Sequence, residues 1–162
     1  MPRLSAHLLP TTVALIVNSG AFVVGTKYRI VTAGTTDFAT EQGAADNNVG
    51  TVFTATVIGT GSGTASVEPV GDKVKGDGFY NYSDGIHTVA HYLDSFDGIL
   101  IVQGALTTDP VEADWVTLNT QDGTTTPITA NASYNITGNF VWVRAIATNF
   151  EAGTITKIQL NH

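Results

Sequence analysis

The chain contains no cysteine. That excludes a disulfide framework, a thiol nucleophile and any Cys-ligated zinc or iron–sulfur centre. Basic residues are few: seven Lys and Arg stand against fourteen Asp and Glu, for a formal net charge of −7. The seven are spread over Arg3, Lys27, Arg29, Lys73, Lys75, Arg144 and Lys157. Nucleic-acid binding needs clustered cations, so no nucleic-acid partner is expected. Charged residues as a whole make up only 13% of the chain, which leaves few groups for acid–base chemistry. Long apolar runs are missing too, and with them any membrane-spanning helix or membrane partner. The run Val13-Ala14-Leu15-Ile16-Val17 behind Arg3 is too short for a secretory signal, and Pro10-Thr11-Thr12 interrupts what precedes it. Residues 12–17 therefore read as a first strand.

What remains is a β-rich composition. Threonine and valine are abundant, and both are β-branched and suit a pleated surface. The 17 glycines and many Asn and Asp residues supply turns. Apolar residues make up 43% of 162, enough for a core that needs neither a metal nor any other cofactor.

Short apolar segments recur along the chain. Residues 51–58 alternate, with Val52, Thr54, Thr56 and Ile58 on one side and Phe53, Ala55 and Val57 on the other. Gly59-Thr60-Gly61-Ser62-Gly63 then reads as a hairpin tip. No helix pattern or Lys follows it, so it is not a phosphate-binding loop. The polar, glycine-rich stretch at 71–78 marks a boundary. Beyond it lie strand-length segments at 88–93, 99–105, 115–118, 133–136, 140–147 and 154–160. They are punctuated by Asp97-Gly98, Asp122-Gly123 and Thr137-Gly138-Asn139. In 140–147, Phe140, Trp142, Arg144 and Ile146 share one face and Val141, Val143, Ala145 and Ala147 the other, and Trp142 is expected in the core. One short helix is expected at 36–45, capped by Thr36 or Asp37. The fold class is all-β: a small N-terminal β-module over 1–72, followed by an antiparallel, jelly-roll-like β-sandwich over 73–162.

Candidate sites are sparse. His87 and His91 lie four apart, with Asp84, Asp94 and Asp97 nearby. Thr, Val and Tyr among them favour a strand over a metal-binding helix face, so no metal ligand is assigned. Ser83 and Ser95 lie near these histidines, but no nucleophile elbow or recognisable nucleophile–base spacing is present, so no catalytic residue is assigned and no enzyme is expected. Trp115 follows a turn, where it serves as a structural aromatic or as a ligand-stacking surface for a sugar. Leu15, Ile16 and Val17 place apolar side chains on both faces of the first strand. A lone sheet edge cannot hide both faces, which makes these three the candidate assembly contacts.

Residues 28–67 also carry a motif pattern: Gly34-Thr35-Thr36-Asp37-Phe38, then Gly50-Thr51-Val52-Phe53-Thr54-Ala55-Thr56, then Gly59-Thr60-Gly61-Ser62-Gly63-Thr64-Ala65. This resembles a short module of tailed-bacteriophage virion proteins. The second half, with Trp115-Val116-Thr117-Leu118 and Gly138 to Ala145, is similar to a β-sandwich of such structural proteins, including those of cyanobacterial phages. The resemblance covers structural residues and carries over no catalytic ones. It implies a virion component assembled in the host cytoplasm, homo-oligomeric and most simply trimeric. Its partner would be the major capsid protein or another virion protein. A capsid decoration or cement protein fits the short chain, and a fibre or tail-tip module binding a receptor or glycan is the alternative.

Overall fold

A computed structural model describes residues 5–82 and 85–162. Among the described residues eleven strands are formed: β1 (Ser5–Leu9), β2 (Thr12–Val13), β3 (Ile16–Asn18), β4 (Lys27–Thr32), β5 (Val52–Thr54), β6 (Thr64–Val67), β7 (Val74–Lys75), β8 (Ile86–Ala105), β9 (Val116–Asp122), β10 (Ala132–Thr137) and β11 (Trp142–Asn161). One α-helix, α1 (Phe38–Gln42), and 3-10 turns at Ser19–Ala21 and Glu112–Asp114 complete the elements among the described residues. All strand pairings are antiparallel and fall into two sheets, as the composition predicts. The jelly-roll form is not established by these pairings.

The smaller sheet runs β3-β6-β4-β5. Along β4, Tyr28 and Ile30 point inward at the two-residue period of a strand and are buried. They meet Phe22, Phe38, Phe53, Ala55 and Ala65 in one cluster. The Phe22 ring lies 4.9 Å from Tyr28 and 5.5 Å, edge-on, from Phe53, a geometry aromatic pairs favour. The helix is shorter than the expected 36–45. Asp37 is its N-cap, its carboxylate accepting the Thr40 amide at 3.1 Å, and Gly43 ends it in the left-handed region at φ 68°. Thr36 does different work. Its hydroxyl donates to the Thr60 carbonyl and accepts the Gly63 amide, pinning the glycine loop. That loop is not a hairpin tip: β5 and β6 flank β4 on opposite sides, so residues 55–63 cross over rather than turn back.

The larger sheet is built on β8 and β11, each 20 residues long and paired along most of their length. Segments 88–93 and 99–105, expected as separate strands, are halves of β8, and 140–147 and 154–160 fall largely on the halves of β11. Asp97-Gly98 is therefore a bend within a ribbon, not a hairpin turn. Positive φ at Ser95, Asn149 and Gly153 and three register shifts in β11 accommodate it. Phe96 and Phe150, with ring centres 5.2 Å apart, fill the bend. Both halves contribute to one core: Val89 and Leu93 from the first half of β8, Leu100 and Val102 from the second, with Val143, Ala145, Ile158 and Leu160 of β11. β10 pairs with the first half of β8 and β9 with the second. Trp142 is not in this core. It lies half-buried on the face opposite Val143, its indole N–H donating to the Thr108 carbonyl at 2.9 Å.

The N-terminal segment divides between the sheets. β1 and β2 pair with β11, and β3 pairs with β6. The single strand expected at 12–17 is thus broken at Ala14-Leu15, where the chain passes from one sheet to the other. The expected division at residue 72 is crossed in the same way, because residues 5–13 belong to the sheet of the C-terminal half. The stretch at 71–78 is packed, not a free linker. The Gly71 amide donates to the Ala145 carbonyl at 2.8 Å, and a Cβ on Gly71 would lie 1.8 Å from the Leu8 carbonyl oxygen.

Candidate functional site

The glycines of Gly76-Asp77-Gly78 decide where Asp77 goes. A Cβ on Gly76 would approach the Phe140 carbonyl oxygen to 2.4 Å, and one on Gly78 would approach that of Asn139 equally closely. Bare backbone lets the turn lie against residues 139–141, with the Gly76 amide donating to Val141 and the Gly78 amide to Phe140, each at 2.9 Å. Asp77 then points into the protein, 1% exposed. His87 enters from the start of β8 with its side chain on the inner face. The register Asn161↔Thr88 brings His162, just past the end of β11, beside His87.

Three ligand-type groups meet there. His162 Nδ1 and Asp77 Oδ1 are 2.8 Å apart. His87 Nε2 accepts the Asp77 amide at 3.0 Å. The His162 ring lies between those of His87 and Tyr80, at 5.5 and 5.8 Å. One donor atom from each of Asp77, His87 and His162 lies within 4.8 Å of the other two, and all three residues are buried. Asp77 Oδ2 is buried with no hydrogen-bond partner among the described residues. A buried carboxylate oxygen left without a donor is costly in free energy.

The sequence paired His87 with His91 instead. Both are on β8 and point inward, but His91 lies farther along the strand, with its ring 6.2 Å from that of Tyr134. Burial pushes the His91 imidazole below its ordinary range and the Tyr134 hydroxyl above its own. Asp94 is exposed at the bend of β8, and neither it nor Asp97 joins the histidines. Arg3, Ser83 and Asp84 lie outside the described residues.

Trp115 is half-buried, and the Arg144 guanidinium covers one face of its ring at 4.2 Å. That face is closed to a stacking sugar. Arg144 is itself buried, held bidentately by Glu112 at 2.7 and 3.1 Å and by Gln103 at 2.8 Å. Among the three candidate assembly residues, Leu15 is 53% and Ile16 48% exposed, whereas Val17 is half-buried against the small core. Val17 folds inward because Val17↔Ala65 pairing in β3–β6 turns it toward Ala65's side of the sheet. No family model matches the chain, and no curated protein or solved structure matches it either.

Proposed function

We propose that this protein is a non-enzymatic structural component of a tailed-phage virion that works by protein–protein contact, as a capsid decoration or cement protein. The observation that carries the reading is the exposed apolar edge at Leu15 and Ile16. β3 lies at the end of the small sheet, with one side of its backbone paired to no other strand among the described residues. Open edges seek a partner strand, and apolar side chains on such an edge favour one. The motif pattern over residues 28–67 supplies the virion context. The major capsid protein or another virion protein is the assigned partner, and a homotrimer the assigned state. Burying Leu15 and Ile16 against a neighbour contributes on the order of 2–4 kcal/mol per chain before the entropy of association is subtracted.

The test is light scattering of the full chain beside a Leu15→Ser/Ile16→Ser variant, with both also mixed with capsids lacking the protein. The expected result is a wild-type oligomer that binds capsids and a folded variant that is monomeric and binds at least tenfold more weakly. A wild-type monomer that also fails to bind capsids overturns the reading.

A further inference from the structure

We infer that Asp77, His87 and His162 form a binding site for one divalent transition-metal ion of the zinc type. The donor set is two imidazoles and a carboxylate, which suits zinc and its neighbours. Calcium and magnesium require mostly oxygen ligands and are disfavoured. Two independent features point to an ion. The donor atoms converge within 4.8 Å although the three residues come from a turn, the start of one long strand and the segment beyond the other. Asp77 Oδ2 is also buried without a hydrogen-bond donor among the described residues, although the residue is 1% exposed. A cation would supply that oxygen with the charge it lacks.

Binding needs only local adjustment. Tetrahedral coordination at bond lengths of about 2.0–2.1 Å spaces ligand atoms roughly 3.3 Å apart. The most distant donor atoms therefore close up by about 1.5 Å, within reach of side-chain rotation. The Asp77–His162 hydrogen bond, at 2.8 Å, gives way to coordination: any proton on His162 Nδ1 is released to solvent, and the ring stays neutral with Nε2 carrying its one proton. Ligation through His87 Nε2 exchanges its hydrogen bond from the Asp77 amide for a coordinate bond. Three protein ligands leave the fourth position to a water. The bound ion would tie the 76–82 turn to the end of the ribbon where β8 begins and β11 finishes, so its role is structural. This departs from the expectation of a cofactor-free core, and it stands independently of the virion reading.

The experiment uses the full chain stripped with EDTA and dialysed. Cobalt(II) is titrated as a visible-absorbing probe, and melting is followed with and without zinc. One equivalent of cobalt(II) is expected to give visible absorption of tetrahedral character. Zinc at about a hundredfold excess over its Kd is expected to raise Tm by about 5 °C or more. Asp77→Asn and His162→Gln should each lower cobalt affinity at least tenfold, while His7→Gln, on the exposed side of β1, should leave it unchanged. If either site variant fails to fold, the wild-type cobalt spectrum and its stoichiometry still decide. Absence of the absorption, no Tm shift, or a zinc shift that persists in folded His162→Gln would overturn the assignment.

Discussion

Replacing Glu112 by Gln isolates an interaction between the 3-10 turn at Glu112–Asp114 and the end of the long ribbon where β8 finishes and β11 begins. Arg144 is only 7% exposed, so the charge of its guanidinium must be satisfied in place. Three contacts do this: Gln103 on the cross-strand partner in β8, the ring of Trp115 beneath the guanidinium, and the bidentate Glu112 carboxylate. The first two survive the substitution. The carboxylate side of the pair is 74% exposed, so water replaces part of what is lost. A buried charge-assisted pair would cost several kcal/mol to break and an exposed one about 1 or less. With one partner buried and the other open, the expected loss is about 1–2 kcal/mol. For a chain of this length that is a fall in Tm of about 2–8 °C.

The pH dependence gives the sharper test. The Arg144 hydrogen bonds hold the Glu112 carboxyl below its ordinary range, outweighing the opposing effect of burial. Its folded pKa is therefore depressed relative to the unfolded chain. The stabilisation is fully present above the unfolded value of about 4.3 and is lost as pH falls through the depressed folded one. Thermal melts of wild type and Glu112→Gln from pH 7 to pH 3 should converge as the pH drops. Coincident melts at pH 7, or a gap that widens toward pH 3, would show that Glu112 does not anchor Arg144.

Three further substitutions test the packing. Gly71→Ala places a Cβ 1.8 Å from the Leu8 carbonyl and should force β1 away from the ribbon, lowering chemical-denaturation stability by about 3 kcal/mol or more. Gly20→Ala, where a Cβ meets nothing within 4 Å, should change it by less than about 1 kcal/mol, and equal effects from the two would refute the close approach. Tyr134→Phe removes a buried hydroxyl without a hydrogen-bond partner among the described residues. It should be neutral or raise stability by up to about 1 kcal/mol, and a clear loss in the same denaturation assay would mean the hydroxyl has a donor or acceptor in solution.

How far these features are visible in the sequence depends on how local their causes are. The Phe53/Ala55 side of residues 51–58 and the Val143/Ala145/Ala147 side of 140–147 are read from two-residue alternation alone, and both are inward in the fold. Asp37 as a cap is equally local, since its carboxylate reaches an amide only three residues on. The continuity of β8 was not readable, because Asp97-Gly98 is good hairpin chemistry. It becomes a bend only because Gly98 lies against Phe96 and Phe150, the latter on the partner strand. Trp142 was misplaced for a related reason: alternation assigns it to the face of Arg144 but does not say which face is covered.

The cluster at Asp77, His87 and His162 is far from local, with Asp77 and His162 separated by 85 positions. A sequence scan favours His87 with His91, because four residues is a familiar spacing for metal ligands on a helix. On a strand, i and i+4 share a face but lie about 13 Å apart, too far for one ion. The nearest same-face neighbour of a strand residue is instead across the ladder, and here the register that pairs Asn161 with Thr88 makes that neighbour His162. A searchable signal did exist. Gly76-Asp77-Gly78 places an acidic residue between two glycines, a pattern that lets backbone press close while turning the one side chain inward. Once the ribbon is known to bring the end where β8 begins and β11 finishes to that turn, the flanking glycines are the local mark of a site whose other members only the register could supply.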